Sequence, residues 1–136
     1  AVAGRMLRNG KPLTQDPLFA ARLAKVEIDL ENMKTTNLRV IAAVAGGGVP
    51  GAESSMLKIR GTEIRQEISS LARRAMGVHG RPFIAEALKD GFTGETFGPA
   101  YASAAASRYF NNRKLSIFGG SNEIQKNIIS KMILGL

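Results

Sequence analysis

Between Asp16-Pro17 and the glycine run Gly46-Gly47-Gly48, one apolar pattern governs the chain. Phe19, Leu23, Val26, Leu30, Met33, Asn37, Val40 and Val44 follow one another at alternating steps of four and three. That spacing lays them along one face of an α-helix as a heptad-like seam. Arg22, Lys25, Glu27, Asp29, Glu31 and Lys34 occupy the other faces. Asp16 stands where an N-cap acid belongs, and Pro17 sits at the first helical position, where its missing N–H is no loss. The predicted helix runs about 29 residues, or ~43 Å at ~1.5 Å per residue. Gly46-Gly47-Gly48-Val49-Pro50-Gly51 must end it.

A second long helix is predicted from about Ala52 to Met76. Its seam is Leu57, Gly61, Ile64, Ile68, Leu71 and Ala75, again at steps of four and three. Gly61 inside a helix costs ~1 kcal/mol relative to Ala, which close approach of a neighbouring helix would explain. Residues 77–96 contain Gly77, Gly80, Pro82, Gly91 and Gly94 and read as irregular. A third helix is expected over Pro99 to Phe110, broken by Asn111-Asn112. A last helix is expected over Asn122 to Ile133. Upstream, residues 1–15 read as a helix end followed by a loop at Asn9-Gly10-Lys11-Pro12. The fold class that follows is all-α, an antiparallel helical bundle. Two seams of this length need partners, so an apolar stripe is expected to remain exposed unless another chain covers it.

Composition removes several function classes. The chain has 136 residues, with 44% hydrophobic content, enough for the core of one small domain. No run reaches the ~18 consecutive apolar residues of a membrane span. Nothing resembles a signal peptide, and the start at Ala1-Val2-Ala3-Gly4-Arg5 without Met is expected of a fragment. There is no Cys, hence no disulfide framework, thiol nucleophile or zinc-thiolate site. A single His argues against a histidine-based metal site. The net charge of +8 raises a nucleic-acid partner. Yet the basic residues are scattered, in pairs at most (Arg73-Arg74, Arg113-Lys114), and Trp is absent, leaving poor material for a base-stacking surface. A solvated basic surface facing anionic cofactors or a partner chain fits better than nucleic acid or membrane.

The C-terminal stretch carries the chemistry. Gly119-Gly120-Ser121 precedes the last helix. Glycines let a backbone come close to another molecule, and Ser121 at the N-cap faces outward-pointing N–H groups suited to an acceptor-rich ligand. The same three residues also make an ordinary turn and cap, with Glu123 complementing the helix dipole.

The longer string Ile117-Phe118-Gly119-Gly120-Ser121-Asn122-Glu123-Ile124-Gln125 resembles the C-terminal signature of the acyl-CoA dehydrogenase family. There a loop reading roughly Ile-Tyr-Glu-Gly-Thr-x-Gln-Ile-Gln leads into the final helix. The ending Leu134-Gly135-Leu136 is similar as well. The resemblance covers nearly the whole chain, in the order of the family's all-helical C-terminal domain. It implies that the family's first long helix lies before this chain, with residues 1–8 as its tail.

The resemblance also implies a site. In the family, flavin adenine dinucleotide (FAD) lies partly between subunits. One side of it meets a loop similar to Arg74-Ala75-Met76-Gly77-Val78-His79-Gly80, which places Arg74, Gly77 and Gly80 on the cofactor. Arg74 stands where the family has Gln, and Val78 replaces a Gly. Read without the family, Gly77 is a helix-ending glycine and Gly80 a turn residue. His79 is a loop residue with no family role. Ser121 matches a Thr that touches the flavin, and Glu123 matches a Gln on the first helical turn. Phe118 and Gly119 match the substrate side. In medium-chain members the residue at Gly119 is the Glu that removes the α-proton of the acyl thioester while FAD accepts a hydride from Cβ. Gly119 cannot be a base, though its N–H can polarise the thioester carbonyl. No catalytic residue is therefore assigned, and Gly119→Glu is expected to supply a base. Neither Arg5 nor Arg8 is assigned to the cofactor, because the spacing ahead of Gly10-Lys11 differs from the family's.

As a whole, the resemblance implies an oxidoreductase that dehydrogenates an acyl-CoA with FAD. Its expected partners are an electron-transfer flavoprotein or similar acceptor and further subunits in a homo- or hetero-oligomer, dimer or tetramer. The expected setting is the bacterial cytoplasm or, alternatively, the mitochondrial matrix. The alternative function is a non-catalytic subunit or assembly scaffold of such an oligomer. The isolated chain is expected to be inactive.

Overall fold

The computed structural model describes residues 2–135, and helices make up nearly all of their regular structure. The five α-helices among them are α1 (Val2–Arg5), α2 (Pro17–Ala45), α3 (Glu53–Ala75), α4 (Ala105–Asn111) and α5 (Asn122–Leu134). The strands among the described residues, β1 (Leu7–Arg8) and β2 (Lys11–Pro12), form a minimal antiparallel hairpin with Leu7 opposite Pro12 and Arg8 opposite Lys11. Of the loop read over Asn9-Gly10-Lys11-Pro12, Asn9 and Gly10 are the turn, with positive φ at both residues, as a two-residue hairpin demands, whereas Lys11 and Pro12 are strand β2.

The chain divides into two compact units. The first holds the residues through Lys25 and Gln66–Arg113. The second holds Val26–Arg65 and the residues from Lys114 on.

In the first unit, the start of α2 follows the chemistry of Asp16-Pro17. Asp16 Oδ1 accepts from the Phe19 N–H at 2.9 Å, and Asp16 Oδ2 accepts from Arg8 at 3.0 Å. Leu13, Phe19, Leu71, Ala75, Met76, Ala102 and Ala106 are buried. Removing a large apolar side chain of this kind from water stabilises by ~1.5–3 kcal/mol. Arg22 Nε donates to Glu67 Oε1 at 2.9 Å, tying the first turns of α2 to α3. Ser107, almost fully buried, donates its hydroxyl to the Ile84 carbonyl at 2.6 Å and so holds the irregular 77–96 segment to α4.

In the second unit, α2 and α3 run antiparallel. Asp29 accepts from Arg60 at 2.9 Å, while Val40 and Ala43, further along α2, line one groove with Glu53 and Met56, earlier on α3. Val26, Ala52, Ile59 and Ile64 are buried here. Gly61 faces the end of the Met33 side chain on α2, a flexible thioether rather than neighbouring backbone.

The two long helices match their predicted spans to within a residue. Three expectations need correction. The helix expected over Pro99 to Phe110 is only α4, preceded by a 3-10 turn at Ala100–Ala102. The Ser103 hydroxyl donates to the Ala100 carbonyl at 2.7 Å and competes for an acceptor that a longer helix would use. As expected, the helix stops at Asn111-Asn112: α4 ends at Asn111 with Asn112 as its C-cap, and a 3-10 turn follows through Asn112–Ser116. Ile68 is 44% exposed although it lies on the α3 seam. The seam of α2 is buried at Phe19 and Val26 but not at Leu30 or Val44, and every residue from Ile41 to Pro50 is exposed. The expected apolar stripe is therefore present, at Leu38, Ile41 and Val44.

Candidate functional site

The sequence-derived candidates fall into two groups, one in each unit. In the first unit, α3 ends at Ala75 and Gly77 takes the left-handed conformation (φ +56°) that closes it. The His79 N–H donates to the Met76 carbonyl at 3.1 Å, winding Gly77–Gly80 into a 3-10 turn. Gly80 is buried, and a Cβ there would stand 2.5 Å from the Arg73 carbonyl oxygen. Its lack of a side chain is thus required by packing on α3. Arg74 and Gly77 are exposed on the outside of this turn.

His79 packs its ring beside Phe97 (5.7 Å between centroids) and against Gly98, which has no room for a side chain. One residue from Arg74, the Arg73 guanidinium lies 4.8 Å from the centre of the Tyr109 ring, and that of Arg113 lies 5.1 Å from it. This pair of cations on one aromatic ring had no signal in the sequence, because the three residues are far apart in the chain.

In the second unit, the Ile117 and Phe118 N–H groups donate to the Lys114 carbonyl, turning the chain sharply. Gly119 (φ +68°) and Gly120 (φ +84°) follow, both left-handed. The Gln125 side-chain amide reaches back to donate to the Gly119 carbonyl at 3.0 Å. Ser121 is the N-cap of α5, its Oγ accepting from the Ile124 N–H at 3.3 Å. The first helical bond is Gln125 N–H to the Ser121 carbonyl. Glu123 is held below the usual carboxylate range, first by its own N–H, then by the Ser121 hydroxyl, with Lys126 and Lys58 adding their charge. Phe118 is exposed, with Lys114 Nζ 5.4 Å from its ring centre. Phe118, Gly119, Ser121 and Glu123 are thus brought together on one turn. Arg74, Gly77 and Gly80 form the separate group in the first unit.

Sequence reasoning missed what holds this turn in place. Lys58 Nζ donates to Asn122 Oδ1 at 2.9 Å, and the Thr62 hydroxyl lies 3.3 Å from the Leu115 carbonyl. Of the two arginines left unassigned near the start, Arg8 pairs with Asp16 and Arg5 ends α1. Among the described residues no three His, Cys, Asp or Glu side chains gather as metal ligands. No helix among them is long and apolar enough to cross a membrane.

An all-α domain ending in a doubly left-handed glycine turn that caps its last helix is the class these elements define. The family model described as acyl-CoA dehydrogenase, C-terminal domain, matches residues 1–134. The chain belongs to that family. No match to it was found among curated protein sequences.

Proposed function

We propose that this chain is the part of a flavin-dependent acyl-CoA dehydrogenase that supplies two separate groups of FAD-contacting residues and contacts between subunits. The observation that carries the reading is the Phe118–Ser121 turn. Phe118, Gly119 and Gly120 are exposed and Ser121 is half-buried, the two glycines are left-handed, and nothing lies within 4 Å of where a Gly119 Cβ would stand, whereas the Gln125 amide fills that place beside Gly120. Main chain at Gly119 is open to close approach by a ligand.

The donor set fits the cofactor in a specific sense. Arg74, exposed at the end of α3, suits the pyrophosphate through charge-assisted hydrogen bonds. Gly77 and Gly80 shape that loop. At the other group, Glu123 already places a negative charge at the first turn of α5. That turn therefore suits the uncharged, donor-bearing parts of FAD, a ribose hydroxyl or a ring N–H, rather than a phosphate. Ser121 contributes a hydroxyl beside it. Bound FAD supplies the hydride acceptor. Phe118 offers an apolar face to the acyl group, and the Gly119 N–H is the candidate donor to the thioester carbonyl, where a donor aimed at developing charge lowers the barrier. No side chain at Gly119 can take the α-proton, so the base is sought elsewhere in the intact protein. The expected partners are an acyl-CoA, an electron-transfer flavoprotein or similar acceptor, and further subunits. The proposed compartment is the bacterial cytoplasm.

The glycine at position 119 also favours a second reading, a non-catalytic subunit that assembles with an active one. The test is flavin retention by the intact protein after dilution. Ser121→Ala removes a hydrogen bond worth ~1 kcal/mol, about a fivefold loss of affinity. Arg74→Ala removes a charge-assisted one worth ~1.5–3 kcal/mol, a loss of roughly tenfold or more. Variants that unfold at lower temperature yet keep their flavin would reduce Ser121 to a cap and Arg74 to a surface charge.

A further inference from the structure

One turn of α3 carries two polar side chains that reach the two ends of the Phe118–Ser121 segment. Lys58 and Thr62 are four residues apart and so share a helix face. At the far end of the segment, Lys58 Nζ donates to Asn122 Oδ1 at 2.9 Å. At the near end, the Thr62 hydroxyl shares its single proton between the carbonyl of Lys58, at 2.9 Å within α3, and that of Leu115, at 3.3 Å, so the Leu115 contact is the longer and weaker branch. Thr62 is buried, and Lys58 and Asn122 are half-buried. Between the two anchors, Gly119 and Gly120 have left-handed backbone and exposed surroundings. The bond inside the loop, from the Gln125 amide to the Gly119 carbonyl, is itself exposed.

A loop built around two adjacent glycines has little conformational preference of its own, since glycine loses the most freedom on ordering. Its geometry must be imposed by its hydrogen bonds. Apolar packing at Ile117 and Phe118 does not impose it, because both are exposed. The bonds within the loop shape the turn, and the polar contacts to α3 fix it to the helix.

We infer that Lys58 and Thr62 are positioning residues. They fix the Phe118–Ser121 turn from its two ends and so set the donor geometry of the site proposed above, on which this inference rests. Lys58 has a second, minor effect on the same turn. The Glu123 carboxylate is kept ionised first by its own N–H and the Ser121 hydroxyl, then by the charge of Lys126 and, least, by that of Lys58. Lys58 is thus chiefly a tether and only a minor counter-charge, whereas Thr62 is a tether only.

The experiment compares the intact protein with Lys58→Met, Thr62→Val and, from the opposite side of the first contact, Asn122→Ala. Two readouts are taken on each: amide hydrogen exchange over residues 115–122, and flavin retention after dilution. Loss of one such hydrogen bond is expected to speed exchange in this segment roughly fivefold, with exchange in residues 17–25 unchanged. Flavin retention is expected to fall in step. Lys58→Arg and Thr62→Ser, which keep the donors, are expected to restore both. Exchange over 115–122 within twofold of the parent in the variants would overturn the positioning role. Faster exchange with undiminished flavin would leave the anchors in place but overturn the site that they are held to serve. Should Thr62→Val unfold, Lys58→Met and Asn122→Ala remain decisive, because neither residue is buried.

Discussion

The thioether methyl of Met33 lies 3.2 Å from the point where a Cβ on Gly61 would stand, with the sulfur at 3.6 Å. The closest neighbour of this helical glycine is thus the far end of a flexible side chain. Two effects oppose each other in Gly61→Ala. Removing glycine from a helix interior stabilises by roughly 0.5–1 kcal/mol. The new methyl must push the Met33 terminus aside by a few tenths of an ångström, which an unbranched thioether tolerates easily. The helix effect wins, and Gly61→Ala is expected to raise the urea midpoint. A lower midpoint would mean that Met33 is pinned and that close packing is why glycine stands here.

Acid should destabilise the domain through Asp16 and Glu123. Asp16 is held below its usual range chiefly by the Phe19 N–H and further by Arg8, against a smaller opposing effect of desolvation. A carboxylate whose folded pKa is depressed binds its proton more readily in the unfolded chain. Its contribution is therefore complete above the unfolded value, near pH 4, and is lost as pH falls through the folded one. Asp16→Asn retains a capping oxygen without the charge. Urea midpoints followed downward from neutral pH should fall less steeply in this variant than in the parent. Parallel curves would show that Asp16 does not contribute to the acid limb.

Much of this architecture was legible because it rests on local chemistry. Asp16-Pro17 announced the start of α2, the four-three seam its length, and Ser121 the cap of α5, each through interactions within a few residues. What was not legible depends on residues distant in sequence. The α4 start was misjudged because nothing in Pro99–Ala104 reveals that the Ser103 hydroxyl takes the Ala100 carbonyl. Ile68 sits on a correct seam yet stays 44% exposed, because how far a seam is covered depends on elements distant in sequence. At the site, the glycine turn could be found from its own residues, but its anchors could not. Lys58 and Asn122 are 64 positions apart, and Thr62 and Leu115 are 53 apart.

Position 119 shows how backbone geometry alters an expectation drawn from residue type. Gly119 has φ +68° and open space around it. A Glu there meets no neighbour but would need a left-handed backbone to keep the turn, which costs an L-residue ~1–2 kcal/mol. Gly119→Glu is therefore expected to fold, to relax out of the left-handed turn that presents the N–H of residue 119, and so to lose less stability than that amount. It should not install a working base. Rising turnover of an acyl-CoA in this variant would contradict that expectation.

The most direct measurement is the visible flavin absorbance of the intact protein, recorded without oxygen before and after adding a panel of acyl-CoA thioesters. About one bound flavin per chain is expected, with loss of the absorbance band on at least one thioester as hydride leaves the acyl chain. Bound flavin that no thioester bleaches would favour the non-catalytic subunit. A protein that is colourless and takes up no FAD on reconstitution would overturn the proposed flavin-dependent function.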